Sequence, residues 1–160
     1  FIAEDLGSLT PQVHKMLADS GLPGMKVLEF AFDPNSLSDY LPHRIGENSI
    51  CYAGTHDNNT LRGWIDEENP ETLACAREYL GIDDDADLAD AVLRAGMRSK
   101  AELFIAQMQD WLGLGVDARM NLPGTIGGNW AWRMTPGSET KALAGKMRRM
   151  AYISGRSDKK

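Results

Sequence analysis

The sequence predicts an α/β fold of about four parallel strands with helices around them, and three observations carry that prediction. Four short apolar runs, at residues 1–4, 26–32, 49–53 and 101–108, have strand length. Between them lie segments with helical spacing, each opened by a capping residue or closed by glycine. The run Val27-Leu28-Glu29-Phe30-Ala31-Phe32 lacks the polar alternation of a half-exposed strand, which suits a parallel sheet covered on both faces. Strands that alternate with helices build βα units. Four of them fit half of a (β/α)8 barrel, since a whole one needs roughly 250 residues.

The elements follow in order. Thr10 caps and Pro11 opens a first helix with Val13, Met16 and Leu17 at helical spacing, and Gly21 stops it. Pro23-Gly24 turns the chain into the second strand, 26–32. Residues 33–48 hold Pro34, Asn35, Pro42 and Gly46 without periodicity and read as a long loop. The third strand, 49–53, ends in Gly54, and a short helix with Leu61, Trp64 and Ile65 follows Asn59. Asn69-Pro70-Glu71 opens another helix that ends near Gly81. Asp83-Asp84-Asp85 puts negative charge where the next helix dipole favours it. That helix carries Leu88, Ala91, Val92 and Ala95 and is expected to stop at Gly96. The fourth strand, 101–108, leads to a helical turn near Trp111. Residues 119–133 form a loop rich in Gly, Asn and Pro, residues 138–153 an amphipathic helix, and 156–160 a disordered tail.

Composition bounds the function. With 160 residues the chain can bury a real core, and its net charge of −6 argues against nucleic acid and anionic membranes as partners. Lysines and arginines near the end alternate with Leu143, Met147 and Met150 and read as the solvated face of the last helix. Cys51 and Cys75 are too few for a disulfide framework. Three scattered histidines and no Cys-x-x-Cys leave no expected metal site or cofactor, and the acidic cluster lacks the offsets of a calcium loop. No run of 18 apolar residues appears, and a cytoplasmic setting is expected. The first residue is Phe inside an expected strand, so the chain reads as a piece of something longer.

The most informative stretch is Gly54-Thr55-His56-Asp57-Asn58-Asn59-Thr60. An imidazole and a carboxylate follow a buried strand, which is how a catalytic pair is presented. Read alone, the same residues are a strand-to-helix turn with a helix cap. Phe1-Ile2-Ala3 similarly delivers Glu4, so two strand-end carboxylates can converge on one substrate.

Three motifs together resemble the amylomaltase (4-α-glucanotransferase) family: Ile2-Ala3-Glu4-Asp5-Leu6-Gly7, the stretch 54–60, and Arg119-Met120-Asn121-Leu122-Pro123-Gly124-Thr125 with Gly128-Asn129-Trp130-Ala131-Trp132-Arg133. The resemblance implies that residues 1–155 are the C-terminal part of a catalytic TIM (β/α)8 barrel, from its fifth strand onward. It implies Glu4 as general acid/base and Asp57 as the carboxylate that stabilises the transition state. It implies His56 on the donor sugar, Asn121 as a loop contact to glucan, and Asp33 at a strand end facing the groove. Trp130 sits in a loop of the kind that offers sugar-stacking faces, although it can equally pack the last helix onto the barrel. The implied partners are maltooligosaccharides and starch- or glycogen-type glucans.

The family's nucleophile, an aspartate at the fourth strand, has no counterpart in these residues, so the chain alone is expected to be inert. Half a barrel also leaves open edges, and self-association is one way to cover them. A hydrolase with water as acceptor, a non-catalytic glucan-binding module and a metal-dependent hydrolase stand as alternatives on sequence alone.

Overall fold

The computed structural model describes residues 1–158. Three parallel strands, β1 (Gly24–Val27), β2 (Ser49–Tyr52) and β3 (Leu103–Ile105), lie in the order β1-β2-β3. Met25 stands opposite Ile50, and Ile50 opposite Leu103. The described residues also form six α-helices: α1 (Pro11–Ser20), α2 (Leu61–Glu67), α3 (Pro70–Leu80), α4 (Leu88–Arg98), α5 (Met108–Trp111) and α6 (Lys141–Ile153). Leu28, Phe32, Ile45, Leu61, Leu88, Val92 and Leu93 form the centre of the core. Cys51 is buried in it, and that burial pushes its thiol up to about 12.

Local chemistry sets most helix ends where the sequence predicts them. Thr10 accepts from the Val13 N–H, Pro11 follows, and Gly21 closes α1 at a φ of 66°. Asn69 accepts from the Thr72 N–H at 2.8 Å, and Gly81 closes α3 at a φ of 68°. Thr60 caps α2 through the Gly63 N–H at 3.0 Å, and Thr140 caps α6 through the Leu143 N–H at 3.1 Å.

The sheet has three strands among the described residues rather than the expected four. Residues 1–4 form no strand, and a backbone bond from the Ala3 N–H to the Pro23 carbonyl at 2.9 Å joins them to the residue before β1. The Asp5 carboxylate takes the Met25 N–H at 2.5 Å, so a side chain occupies the donor that a further strand would need. The second strand is also shorter than 26–32. After Val27 the chain winds into a 3-10 turn, Leu28–Phe30, that keeps Leu28 and Phe32 fully buried. An all-apolar run satisfies burial in either shape, so its periodicity does not separate them. The strand expected over 101–108 ends at Ile105 because Gln107 and Asp110 form a reciprocal capping box that starts α5.

Two further expectations change. Helix α4 does not stop at Gly96 but runs to Arg98. Gly96 instead provides clearance: an added Cβ would overlap the Phe104 ring of β3. Helix α1 forms as predicted, yet none of its residues is buried, and Met16 lies exposed. At the chain end, Arg156 is not loose. Its guanidinium donates to the carbonyls of Met97 at 2.6 Å and of Ser99 and Ala101 at 3.0 Å each. Lys159 and Lys160, the end of the tail expected to be disordered, lie outside the described residues. No helix among the described residues is long and apolar enough to cross a membrane.

Gly96→Ala is expected to destabilise the fold by about 1–3 kcal/mol, through overpacking against Phe104. Urea denaturation measures the loss, and adding Phe104→Leu should recover part of it. Wild-type stability in the single variant would show that the helix and strand are not in close contact at Gly96.

Candidate active site

A groove of about 890 Å³ opens at the C-terminal ends of the three strands. Parallel strands deliver all their ends to one face, so residues far apart in sequence meet there. Glu4 lines one side, and His56 and Asp57 line another. Phe30, Tyr40 and Tyr52 supply aromatic wall, and Gln107 closes the β3 side. The two carboxylates singled out by the sequence therefore share one cavity.

The loop after β2 is shaped by its own side chains. The Asn58 Oδ1 accepts from the Thr55 N–H at 3.0 Å and from the Thr55 hydroxyl at 2.7 Å, and the Asp57 N–H donates to Thr55 Oγ1 at 3.3 Å. Asn59 and Thr60 are buried: Asn59 Nδ2 donates to Glu67 at 2.8 Å and Thr60 caps α2. His56 and Asp57 are the most exposed side chains of the loop, each about half exposed. His56 Nε2 stands 3.3 Å from Asp57 Oδ1.

The loop after α5 holds that pair from the other side. Asn121 Nδ2 donates to Asp57 Oδ1 at 2.6 Å, and the Asn121 N–H donates to the His56 carbonyl at 3.1 Å. Arg119 donates through Nη2 to the Asp57 carbonyl at 2.7 Å and through Nε to the Asn121 carbonyl at 2.9 Å. The Trp130 ring lies against the His56 ring, centroids 4.9 Å apart at 41°. Trp130 adopts a φ of 60°, a left-handed conformation that is strained for an aromatic residue. Its N–H is fixed on the Met120 carbonyl at 2.7 Å.

Glu4, His56, Asp57, Asn121 and Trp130 are thus brought to one site. Asp33 is not. It lines a separate depression with Cys75, Glu78 and Tyr79. There it accepts from the Asn35 N–H at 2.8 Å and the Ser36 hydroxyl at 2.6 Å, and these bonds hold its carboxyl below the usual carboxylate range. The 3-10 turn after β1 redirects the chain, so being next in sequence after the apolar run does not place Asp33 at the groove. Glu4 is exposed, so the burial expected of a proton-holding acid is not supplied by these residues. Neighbouring Asp5 is buried and bound to β1.

Sequence reasoning missed two buried acids beneath the groove. Glu29 is 8% exposed, and its Oε1 has no hydrogen-bond partner among the described residues. Burial, aided by the negative charges of Asp110 and Glu68 and opposed by Arg119, pushes its carboxyl up to about 9. Asp110 is pushed up to about 6 by burial, against the pull of the Leu61 and Gln107 N–H groups that it accepts. The signal for Glu29 was present: one acid inside an otherwise apolar run. No group of three or more His, Cys, Asp or Glu side chains among the described residues could hold a metal ion.

Glu29 takes up a proton on folding at neutral pH, whereas Asp110 does so only in mildly acidic solution. Their stabilising contribution is complete below the unfolded values of 4.5 and 3.8 and is lost as pH rises through about 9 and about 6. Glu29→Gln removes the larger of these dependences. Its melting temperature relative to wild type is expected to be higher at pH 8 than at pH 5, by up to about 1.4 kcal/mol of stability per pH unit. Melting curves that differ by a constant amount across that range would show that Glu29 is ionised in the folded protein.

Comparison with known proteins yields one family. The family model described as 4-alpha-glucanotransferase matches residues 1–140. The 4-alpha-glucanotransferase of Thermus thermophilus is 41% identical over 162 residues, covering 97% of this chain and 32% of that protein. That of Clostridium butyricum is 40% identical over 158 residues, covering 98% and 32%. Among solved structures, amylomaltase from Streptococcus agalactiae in complex with acarbose superposes with a TM-score of 0.92 at 37% identity, covering 98% of this chain and 32% of that one. The chain therefore spans about a third of the length of the relatives it matches.

Proposed function

The chain belongs to the 4-alpha-glucanotransferase family, and from that premise we propose that the protein carrying it transfers α-1,4-glucan segments between maltooligosaccharides, in the cytoplasm. The observation that carries the reading is Glu4 and Asp57 lining one groove at the ends of parallel strands. The barrel is proposed as the full architecture, with these three strands as part of its C-terminal half. The acarbose-bound relative supports a sugar as the occupant of the groove.

In this reading Glu4 is the general acid and base. A carboxylate from outside these residues attacks C1 of the donor sugar as the C1–O bond breaks, and Glu4 protonates the departing 4-oxygen. Glu4 then takes the proton from the 4-hydroxyl of an acceptor glucan, whose oxygen attacks C1 and releases the carboxylate. The Asp57 carboxyl group faces the positive charge that develops on the sugar. The Asn121 amide at 2.6 Å fixes one of its oxygens, and His56 beside it is placed to donate to a sugar hydroxyl. Trp130 backs His56 and offers its exposed side to glucan. Phe30, Tyr40 and Tyr52 give the groove an apolar wall that favours a sugar face over water, which suits transfer rather than hydrolysis. Asp33 has no part in this assignment.

Glu4→Gln and Asp57→Asn in the full-length protein are each expected to lower disproportionation of maltotriose by about 100-fold or more. Chromatography of the products reads glucose together with chains longer than the substrate. Retained transfer in either variant refutes that residue's role, and wild-type release of reducing ends without longer products refutes transfer itself. Residues 1–160 alone should give no transfer at all, and activity there would place the nucleophile within them.

A further inference from the structure

Of the buried acids near the groove that the reaction does not use, Glu29 is the one with a carboxyl oxygen that has no hydrogen-bond partner among the described residues, and its surroundings are specific. It leaves the 3-10 turn after β1 and ends beneath Gly54, where an added Cβ would overlap Oε1. Its own N–H donates to the Ala53 carbonyl at 3.2 Å, so backbone and side chain both meet the start of the loop that carries His56 and Asp57. Behind Asp57 a cavity of about 410 Å³ is lined by Glu29, Glu67, Glu68 and Arg119. Arg119 uses its guanidinium on two carbonyls, those of Asp57 and Asn121.

Resting on the proposed reading of the groove, the geometry points to Glu29 as a positioning residue for glucan transfer. Its carboxyl, seated under Gly54, supports residues 54–58 and leaves Arg119 free to tie Asp57 to the Asn121 loop. The charged groups around it come from every packed element: Asp110 of α5, Glu67 and Glu68 at the end of α2, Arg119 after the 3-10 turn Val116–Ala118, and Asp57 from the loop itself. With one cation among several acids, a neutral Glu29 does not compete for the guanidinium. An ionised Glu29 would be drawn to Arg119 and would take it from the carbonyls that register the two loops. Gly54 leaves the carboxyl its place, since an added Cβ there would displace the end of the Glu29 side chain.

The test uses the full-length protein with Glu29→Gln, which keeps the shape and cannot ionise, and Glu29→Ala, which removes the support. At pH 7 the Gln variant should disproportionate maltotriose within about threefold of wild type, while the Ala variant loses about tenfold or more in kcat with KM little changed. The ratio of Gln-variant to wild-type rate should rise between pH 8 and pH 10, and titrations shared by both proteins cancel in it. A flat ratio, or an Ala variant with wild-type kcat, overturns the inference. Should Glu29→Ala fail to fold, the ratio decides alone. Amide exchange of residues 54–58 at pH 7 gives a readout without turnover: faster exchange in the Ala variant than in wild type is expected, and equal exchange overturns the inference. Wild type that forms no longer glucans refutes the transferase reading instead, and the exchange comparison still stands.

Discussion

The loop that carries His56 and Asp57 hangs from the backbone of Ala53. Its N–H donates to the Ile105 carbonyl at 3.0 Å, and its carbonyl accepts from the Glu29 N–H at 3.2 Å. One buried residue just past β2 thus ties together the ends of all three strands. Gly54 follows at once, and Thr55, His56 and Asp57 depart from a point that cannot move without breaking the sheet on both sides. Catalytic positioning requires a reacting carboxylate to be held within a fraction of an ångström. Here that precision comes from a sheet, although the carboxylate itself lies on a loop.

Such placement has a cost, and the structure shows where it falls. Burying a carboxyl is unfavourable unless hydrogen bonds compensate, and otherwise the group keeps its proton. Asp110 is compensated by two backbone N–H donors, whereas Glu29 has an oxygen with no partner among the described residues. Trp130 adds backbone strain at a φ of 60°. An orphaned acid, a second raised acid and a strained aromatic residue all lie within or directly beneath one loop cluster. The core formed by Leu28, Phe32, Leu61 and Leu88 carries no comparable feature. Departures from local preference concentrate where two loops must be held in register, which is the expected signature of a working site.

What could be read from sequence follows the range of the interaction involved. The Thr10-Pro11 and Asn69-Pro70 starts and the Gly21 and Gly81 stops depend on neighbours within four residues, and all four stand where they were expected. The groove was legible for a different reason: strand ends of a parallel sheet share one face, whatever the details between them. Three features depended on distant partners and were not legible. Residues 1–4 fail to pair fully because Asp5 reaches the Met25 N–H. Gly96 continues a helix rather than ending it because Phe104 needs the space. Asp33 leaves the groove because the chain turns at Leu28–Phe30, where an apolar run gives no periodic clue. Glu29 differs from these, because an acid inside an apolar run is visible and only its partners are not.

The stretch 54–60 admits two readings, a helix-capping turn and a catalytic pair, and the structure makes them one object. Thr55 and Asn58 close the turn on each other, and Asn59 and Thr60 build the start of α2. Because these neighbours satisfy the local backbone, His56 and Asp57 carry no duty in holding the loop together through their side chains. Their polar atoms instead meet residues from the Asn121 and Trp130 loop, which arrives from more than sixty positions away. A turn that folded less completely would have to spend the Asp57 carboxylate on its own N–H groups, as Asp33 does at its turn. The ordinary capping chemistry is therefore the condition that leaves Asp57 available to a substrate.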